Sequence, residues 1–231
     1  MTHKLVTRCA AELAGTGLLV GLGTGTIVAA SRFGGVPQSL MAVAWFIAVL
    51  LPIVLFIQVS GAHLNPVVTF SLAVSGRLAW KEAPAYWLAQ LGGAFLGSVC
   101  VLVLIGSGAH LGATVPTHGD IPLTVLAEGS FTALLVGSVF VLSDAGQGRF
   151  RWRILLPPAA VGISTYVIGP WTGSSLNPAR TLAPAVLSGT YTDLWVYLVA
   201  VPIAGLIVAA VWRPQTVDLA DRGPGRVDAS R

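Results

Sequence analysis

Ser60-Gly61-Ala62-His63-Leu64-Asn65-Pro66-Val67 returns 112 residues later as Thr172-Gly173-Ser174-Ser175-Leu176-Asn177-Pro178-Ala179. Both copies lie in apolar surroundings and both run into segments able to form helix. Asn is a strong N-cap, and Pro suits the first helical position, where its missing N–H has no intrahelical partner to lose. Each Asn-Pro is therefore read as the start of a short helix entered from a Gly-containing loop. At membrane depth such a loop must be buried in protein or line a water-filled cavity. A pair of interrupted apolar segments at matching places in two halves is the sequence mark of a transport path.

Composition supplies the membrane. The chain of 231 residues is 55% hydrophobic and 10% charged, with a mean hydropathy of +0.80; an average soluble domain carries ~25% charge. Runs with little or no charge cover 9–31, 37–62, 83–109, 121–143, 154–172 and 183–212. Crossing the hydrocarbon takes ~20 residues, so these runs predict six spans, the fifth marginal, and half-spans follow at 65–75 and 177–187. The first run is too long and too Gly-rich for a signal peptide. Cys9 and Cys100 fall inside apolar spans and read as small core residues.

A second duplication fixes the topology. Ala11-Glu12-Leu13-Ala14-Gly15-Thr16 is matched by Ala127-Glu128-Gly129-Ser130-Phe131-Thr132, 116 residues on. The halves, about 8–115 and 120–213, hold three spans each, so the second enters from the opposite side of the membrane. That is an inverted repeat, and it brings the two Asn-Pro helix starts together near the midplane. The fold class is thus an all-α membrane protein of six transmembrane helices and two re-entrant half-helices. Residues 1–213 form one domain and 214–231 a polar tail predicted to be disordered. Gly15, Gly17, Gly21, Gly92, Gly93, Gly97, Gly129 and Gly137 read as the small residues of close helix crossings.

Lys4, Arg8, Arg77, Lys81, Arg149, Arg151, Arg153 and Arg213, with Arg222, Arg226 and Arg231, fall on the side of both termini, and Arg32 alone on the other. The positive-inside rule then places both termini in the cytoplasm. This asymmetry accounts for the basic pI near 9.5 without a nucleic-acid partner. Trp80, Trp87, Trp152, Trp195 and Trp212 fall near span ends and read as interfacial anchors.

The polar residues inside the membrane are few. Asn65 and Asn177 cap the half-helices and, converging, also offer amide donors to a pore. The half-helix N-termini add partial positive charge there. Arg180, directly after the second box, is the single basic residue placed within the membrane, where a functional role is the default; the alternative is an ion pair with Glu12 or Glu128. Those two carboxylates admit two readings, supports for loop backbone or members of a proton relay. Buried carboxylates persist when hydrogen-bonded, and no intramembrane Lys or Asp–His chain extends a relay. His63 either faces the pore or satisfies loop carbonyls. His110, His118 and Asp120 are too spread to form a metal site. No nucleophile–base pair, phosphate cradle or zinc spacing is present, so neither an enzyme nor a cofactor is expected.

The duplicated halves, the Asn65-Pro66-Val67 and Asn177-Pro178-Ala179-Arg180 boxes and the paired Glu residues resemble the aquaporins, or major intrinsic proteins, over roughly residues 8–212. The resemblance implies one pore per subunit, a homotetramer in the cell (inner or plasma) membrane, and passage of water and small neutral solutes. It implies that Glu12 and Glu128 hold the re-entrant loops and that His63 lies on the cytoplasmic side of the pore. It places the constriction at Trp45, Thr165, Ser174 and Arg180. Val67 departs from the family's usual Ala, and is expected to alter packing where the half-helices meet. Water-specific members carry Phe and His where this chain has Trp45 and Thr165. The wider, hydrogen-bonding opening so implied resembles that of glycerol facilitators and nodulin-like channels, although Thr181 stands where the glycerol facilitators have Asp. The expected solutes are water, glycerol, urea and boric or arsenous acid; a strict water channel is the alternative, ahead of a proton-coupled transporter.

Overall fold

The computed structural model describes residues 4–117, 119–144 and 150–212; Arg149, Arg213, His118 and the tail 214–231 lie outside them. The first half comprises α1 (Leu5–Arg32), α2 (Gln38–Ser60), the short α3 (Pro66–Val74) and α4 (Ala83–Leu104). The second comprises α5 (Ile121–Ser143), the single turn α6 (Phe150–Arg153), α7 (Leu156–Thr172), the short α8 (Pro178–Ser188) and α9 (Leu194–Val211). No strand occurs among the described residues.

α1, α2, α4, α5 and α9 are long and apolar enough to cross a membrane. α7, the marginal span, has 17 residues, ~26 Å of helix against a ~30 Å hydrocarbon core. It starts on Pro157 and Pro158 and ends at Gly173, whose φ of 79° closes it. Two apolar runs outlast their helices. The third stops at Leu104, because Gly106 turns left-handed and Ala109, His110 and Leu111 follow at φ 46–55°. The sixth becomes spanning helix only at Leu194, since its first residues belong to α8, closed by Gly189 at φ 70°.

The long helices form an open ring in which α4 packs on α1, α1 on α2, α2 on α7, α7 on α5 and α5 on α9. α3 lies against α9 and α4, and α8 against α4 and α9, so the half-helices fill the gap between α4 and α9 and complete the ring. The α1–α4 crossing is backbone on backbone: a Cβ built on Gly93 would lie 2.1 Å from the Leu13 carbonyl oxygen, and one on Gly97 2.4 Å from that of Gly17. Other glycines depart from the crossing role. Gly15 faces Leu64 of the first re-entrant loop, and Gly137 meets nothing within 4 Å.

The valine of the first box packs against α9. Val67 is buried and points at α9, where a Cβ on Gly205 would come within 2.6 Å of its Cγ2. α4 and α9 align with Tyr86 on Tyr197, which sets Ala94 opposite Gly205 in the repeat. Ala94 and Ala179 share the equivalent cluster in the other half. The second half therefore fits Ala against Ala, and the first Val against Gly, a volume-conserving exchange of the kind cores tolerate. Gly205→Ala alone should destabilise by about 1–3 kcal/mol through overpacking, and adding Val67→Ala should recover part of that loss, the rest lying in the 2.7 Å approach of the new Cβ to Ser71 Oγ. Thermal unfolding of both single variants and the double variant in detergent reads this out; additive losses would mean that the two residues are uncoupled.

Two sequence assignments change. Cys100 is exposed on the outer face of α4 and Cys9 is half-buried, so neither is a core residue, because the ring turns these helix faces outward. Trp80, Trp152, Trp195 and Trp212 are exposed as anchors should be, but Trp87 donates its indole N–H to the Pro66 carbonyl at 3.1 Å and braces α3.

Candidate functional site

Each Asn does three jobs at once. Asn65 Oδ1 accepts from the Val67 N–H at 2.9 Å, and Asn177 Oδ1 from Ala179 at 2.9 Å and Arg180 at 3.3 Å, which caps α3 and α8. Asn65 Nδ2 donates to the Leu176 carbonyl at 2.8 Å and Asn177 Nδ2 to that of Leu64 at 2.9 Å, so each cap ties down the opposite loop. An amide carries two N–H donors, which leaves one on each Asn for the cavity that both side chains line.

The loops themselves are strained. Ala62 and Leu64 in the first, Ser174 and Leu176 in the second, hold φ of 47–55°, each costing of order 1–3 kcal/mol. Glu12 and Glu128, both fully buried, hold them in place. Glu12 accepts from Ser60 Oγ (2.6 Å), the His63 and Leu64 N–H groups (2.9 and 2.7 Å) and Gln90 Nε2 (2.8 Å). Glu128 accepts from Thr172 Oγ1 (2.7 Å), Ser175 N–H (3.0 Å) and Leu176 N–H (3.1 Å). Tyr86 and Tyr197 complete the repeat, donating to the Ser60 and Thr172 carbonyls at 2.8 and 2.6 Å. All these partners are donors, as a carboxylate that only accepts demands.

Arg180 is almost wholly buried at 1% exposure and forms no ion pair with either Glu. Its Nη1 donates to the Gly112 carbonyl at 2.7 Å and its Nη2 to that of Gly173 at 3.3 Å. Its Cζ stands 4.7 Å from the centre of the Trp45 ring, a cation–π contact that leaves no solute-sized gap between the two planes. A path past them must run along their edges. Trp45 owes its seat to Gly23 of α1, where a Cβ would meet the indole at 2.6 Å.

Two cavities meet at this pair. A narrow one of about 60 Å³ runs from Trp45 and Arg180 past Asn65, Asn177 and His63 towards Leu142 and Pro157. A wider one of about 220 Å³ lies beyond, with Gln38, Thr165, Gly112 and Gly173 in its wall. Thr165 Oγ1 and Arg180 Nε, from two residues in the wall of the wider cavity, are buried without a protein partner. The sequence-derived constriction residues Trp45, Thr165 and Arg180 are thus brought together. Ser174 contributes differently, for its hydroxyl lies 2.7 Å from that of Ser164 and the wall beside it is the Gly173 backbone.

His63 lines the narrow cavity, and its Nδ1 lies 3.2 Å from the Thr69 hydroxyl of α3 rather than on a loop carbonyl. Glu12 and Glu128 line neither cavity. His110 lies 3.2 Å from Thr190 Oγ1; no metal-like cluster of His, Cys, Asp or Glu occurs among the described residues. Gln90, Gln38, Gly23 and Gly112 went unread in the sequence. Tyr86 and Tyr197, spaced like the boxes, were findable from the repeat.

Known proteins are similar to this chain in sequence and fold. The family model described as Major intrinsic protein matches residues 1–212. A maize protein named aquaporin NIP1-1 is 34% identical over 208 residues, 89% of this chain and 73% of its own length. A rice protein named probable aquaporin TIP2-2 is 32% identical over 216 residues, 88% of this chain and 84% of its own. The X-ray structure of the aquaglyceroporin from Plasmodium falciparum superposes with a TM-score of 0.80 at 27% identity, covering 95% of this chain and all of that one.

Proposed function

Because this chain belongs to the major intrinsic protein family, whose members are channels and not enzymes, we propose that it passes water together with small uncharged solutes such as glycerol, urea and boric or arsenous acid. The observation that carries this reading is the junction between the cavities. Its wall combines an aromatic plane (Trp45), guanidinium N–H donors (Arg180) and a hydroxyl without a protein partner (Thr165). Neutral molecules that both donate and accept hydrogen bonds fit such a lining, and the apolar face suits a carbon backbone.

Charge is excluded by Arg180 and by the two half-helix N-termini, each worth about half a positive charge. Glu12 and Glu128 serve as loop supports, since every one of their bonds is to a loop or to the helix behind it. Both termini lie in the cytoplasm: Lys4, Arg8, Arg77, Lys81 and Arg153 gather at the end where Arg8 pairs with Glu82 and Arg77 with Asp144. The functional unit is a homotetramer in a plasma or inner membrane, as is usual for the family.

Stopped-flow light scattering on proteoliposomes tests the reading with a panel of water, glycerol, urea and boric acid. Flux of glycerol and boric acid well above empty liposomes is expected, unchanged by an imposed pH gradient. Water flux alone would establish the strict water channel instead. Solute flux that follows the proton gradient would establish a coupled transporter.

A further inference from the structure

The outer face of the α1–α4 crossing carries an open apolar groove of about 580 Å³. Gly17, Gly21 and Gly97 form its floor, and Leu18, Leu22 and Leu104 stand along its walls. The close approach of the two backbones removes the side chains that would otherwise fill it. Its α1 wall runs from Leu13 to Leu22, ten residues or ~15 Å of helix, about the depth of one membrane leaflet, since the whole hydrocarbon core is ~30 Å.

One end of this groove is charged. Ile105 lines it, and Arg32 at the end of α1 donates Nη1 to the Ile105 carbonyl. Arg32 is exposed and makes no ion pair among the described residues. It is also the one Lys or Arg that the sequence assigns to that side of the membrane. A guanidinium at the mouth of a leaflet-deep apolar groove has the layout of an amphiphile site, with an anionic oxygen cluster above and a hydrocarbon chain below.

We propose that this groove is a specific lipid site, which seats one acyl chain on Gly17, Gly21 and Gly97 and holds the phosphate of an anionic headgroup on Arg32. The planar fork of Arg suits bidentate phosphate recognition, and its bond to the Ile105 carbonyl fixes the fork over the groove. A second copy of the chain is the weaker occupant: helices in lipid gain no hydrophobic energy by associating, and a protein partner must bring its own anion to Arg32 at that depth.

Native mass spectrometry of the detergent-solubilised full-length protein tests this against added phosphatidylglycerol and phosphatidylcholine. The parent should retain one phosphatidylglycerol per subunit at detergent levels that strip phosphatidylcholine. Arg32→Gln should weaken that retention about five- to tenfold, and Arg32→Lys should restore part of it. Cys100→Phe, which fills the groove from its wall, should displace the lipid while Arg32 stays intact. Parent-level water flux in proteoliposomes certifies the fold of each variant. Equal retention of the two lipids, or no loss in Arg32→Gln, overturns the site. So does a change of oligomer mass in Cys100→Phe, which assigns the groove to a neighbouring subunit.

Discussion

Replacing Arg180 by Val should open the channel to small cations and protons while leaving water flux at the parent level. The guanidinium is the one fixed full charge at the junction of the two cavities, and it is poorly screened there. A unit charge at 4 Å contributes ~4 kcal/mol at an effective dielectric of ~20, a factor of about 10³ in the population of a cation at that point. Val also removes the cation–π partner of Trp45 and frees the Gly112 and Gly173 carbonyls. Both carbonyls stand in the wall of the wider cavity, so water can satisfy them and the fold should survive. Cation-dependent current in planar bilayers and acidification of dye-loaded liposomes are the readouts. A folded variant that stays ion-tight would shift exclusion onto the half-helix N-termini and the two Asn amides.

Gly93→Ala should abolish the folded protein, although it adds one methyl group. That carbon would sit 2.1 Å from the Leu13 carbonyl oxygen and 3.0 Å from the Gly17 nitrogen. Both are backbone atoms of α1 and no rotamer change relieves them. The cost should exceed the ~1–3 kcal/mol usual for overpacking, because α1 and α4 must separate along their whole crossing. α1 carries Glu12 and α4 carries Tyr86 and Gln90, so their separation also releases the first re-entrant loop. Gly137→Ala is the matched control: it meets nothing within 4 Å and should be neutral or slightly stabilising, as Ala is the better helix former. Monodisperse yield in detergent and thermal unfolding compare the two. A well-folded Gly93→Ala would contradict the backbone-on-backbone crossing.

Much of this architecture was legible because the chain writes it twice. The boxes at 65 and 177, and Glu12 with Glu128, announced two equivalent halves before any coordinate. In the structure Asn65 and Asn177 cap the half-helices, and Glu12 and Glu128 accept from the loops before them. What stayed hidden was set by backbone atoms and by gaps. The acceptors that hold Arg180 are carbonyls of Gly112 and Gly173, and a carbonyl has no sequence signature. Gly23 reads like any glycine in a span until the Trp45 ring is seen against it. Val67 looked like a disturbance between half-helices, since only the alignment of α4 with α9 reveals Gly205 as its counterweight. Ser174 sits at the right spacing for a pore wall, but at φ 48° the loop turns its hydroxyl to Ser164.

The central claim is that neutral solutes pass one constriction whose width Thr165 controls, between the wider cavity and the Trp45–Arg180 pair. Stopped-flow fluxes of water and glycerol, measured on the same proteoliposomes for the parent and Thr165→His, test it most directly. The imidazole is larger than the hydroxyl it replaces and fills the space beside the guanidinium. The account predicts that Thr165→His keeps most of its water flux and loses glycerol flux to the level of empty liposomes. A folded Thr165→His variant that passes glycerol as the parent does would contradict it.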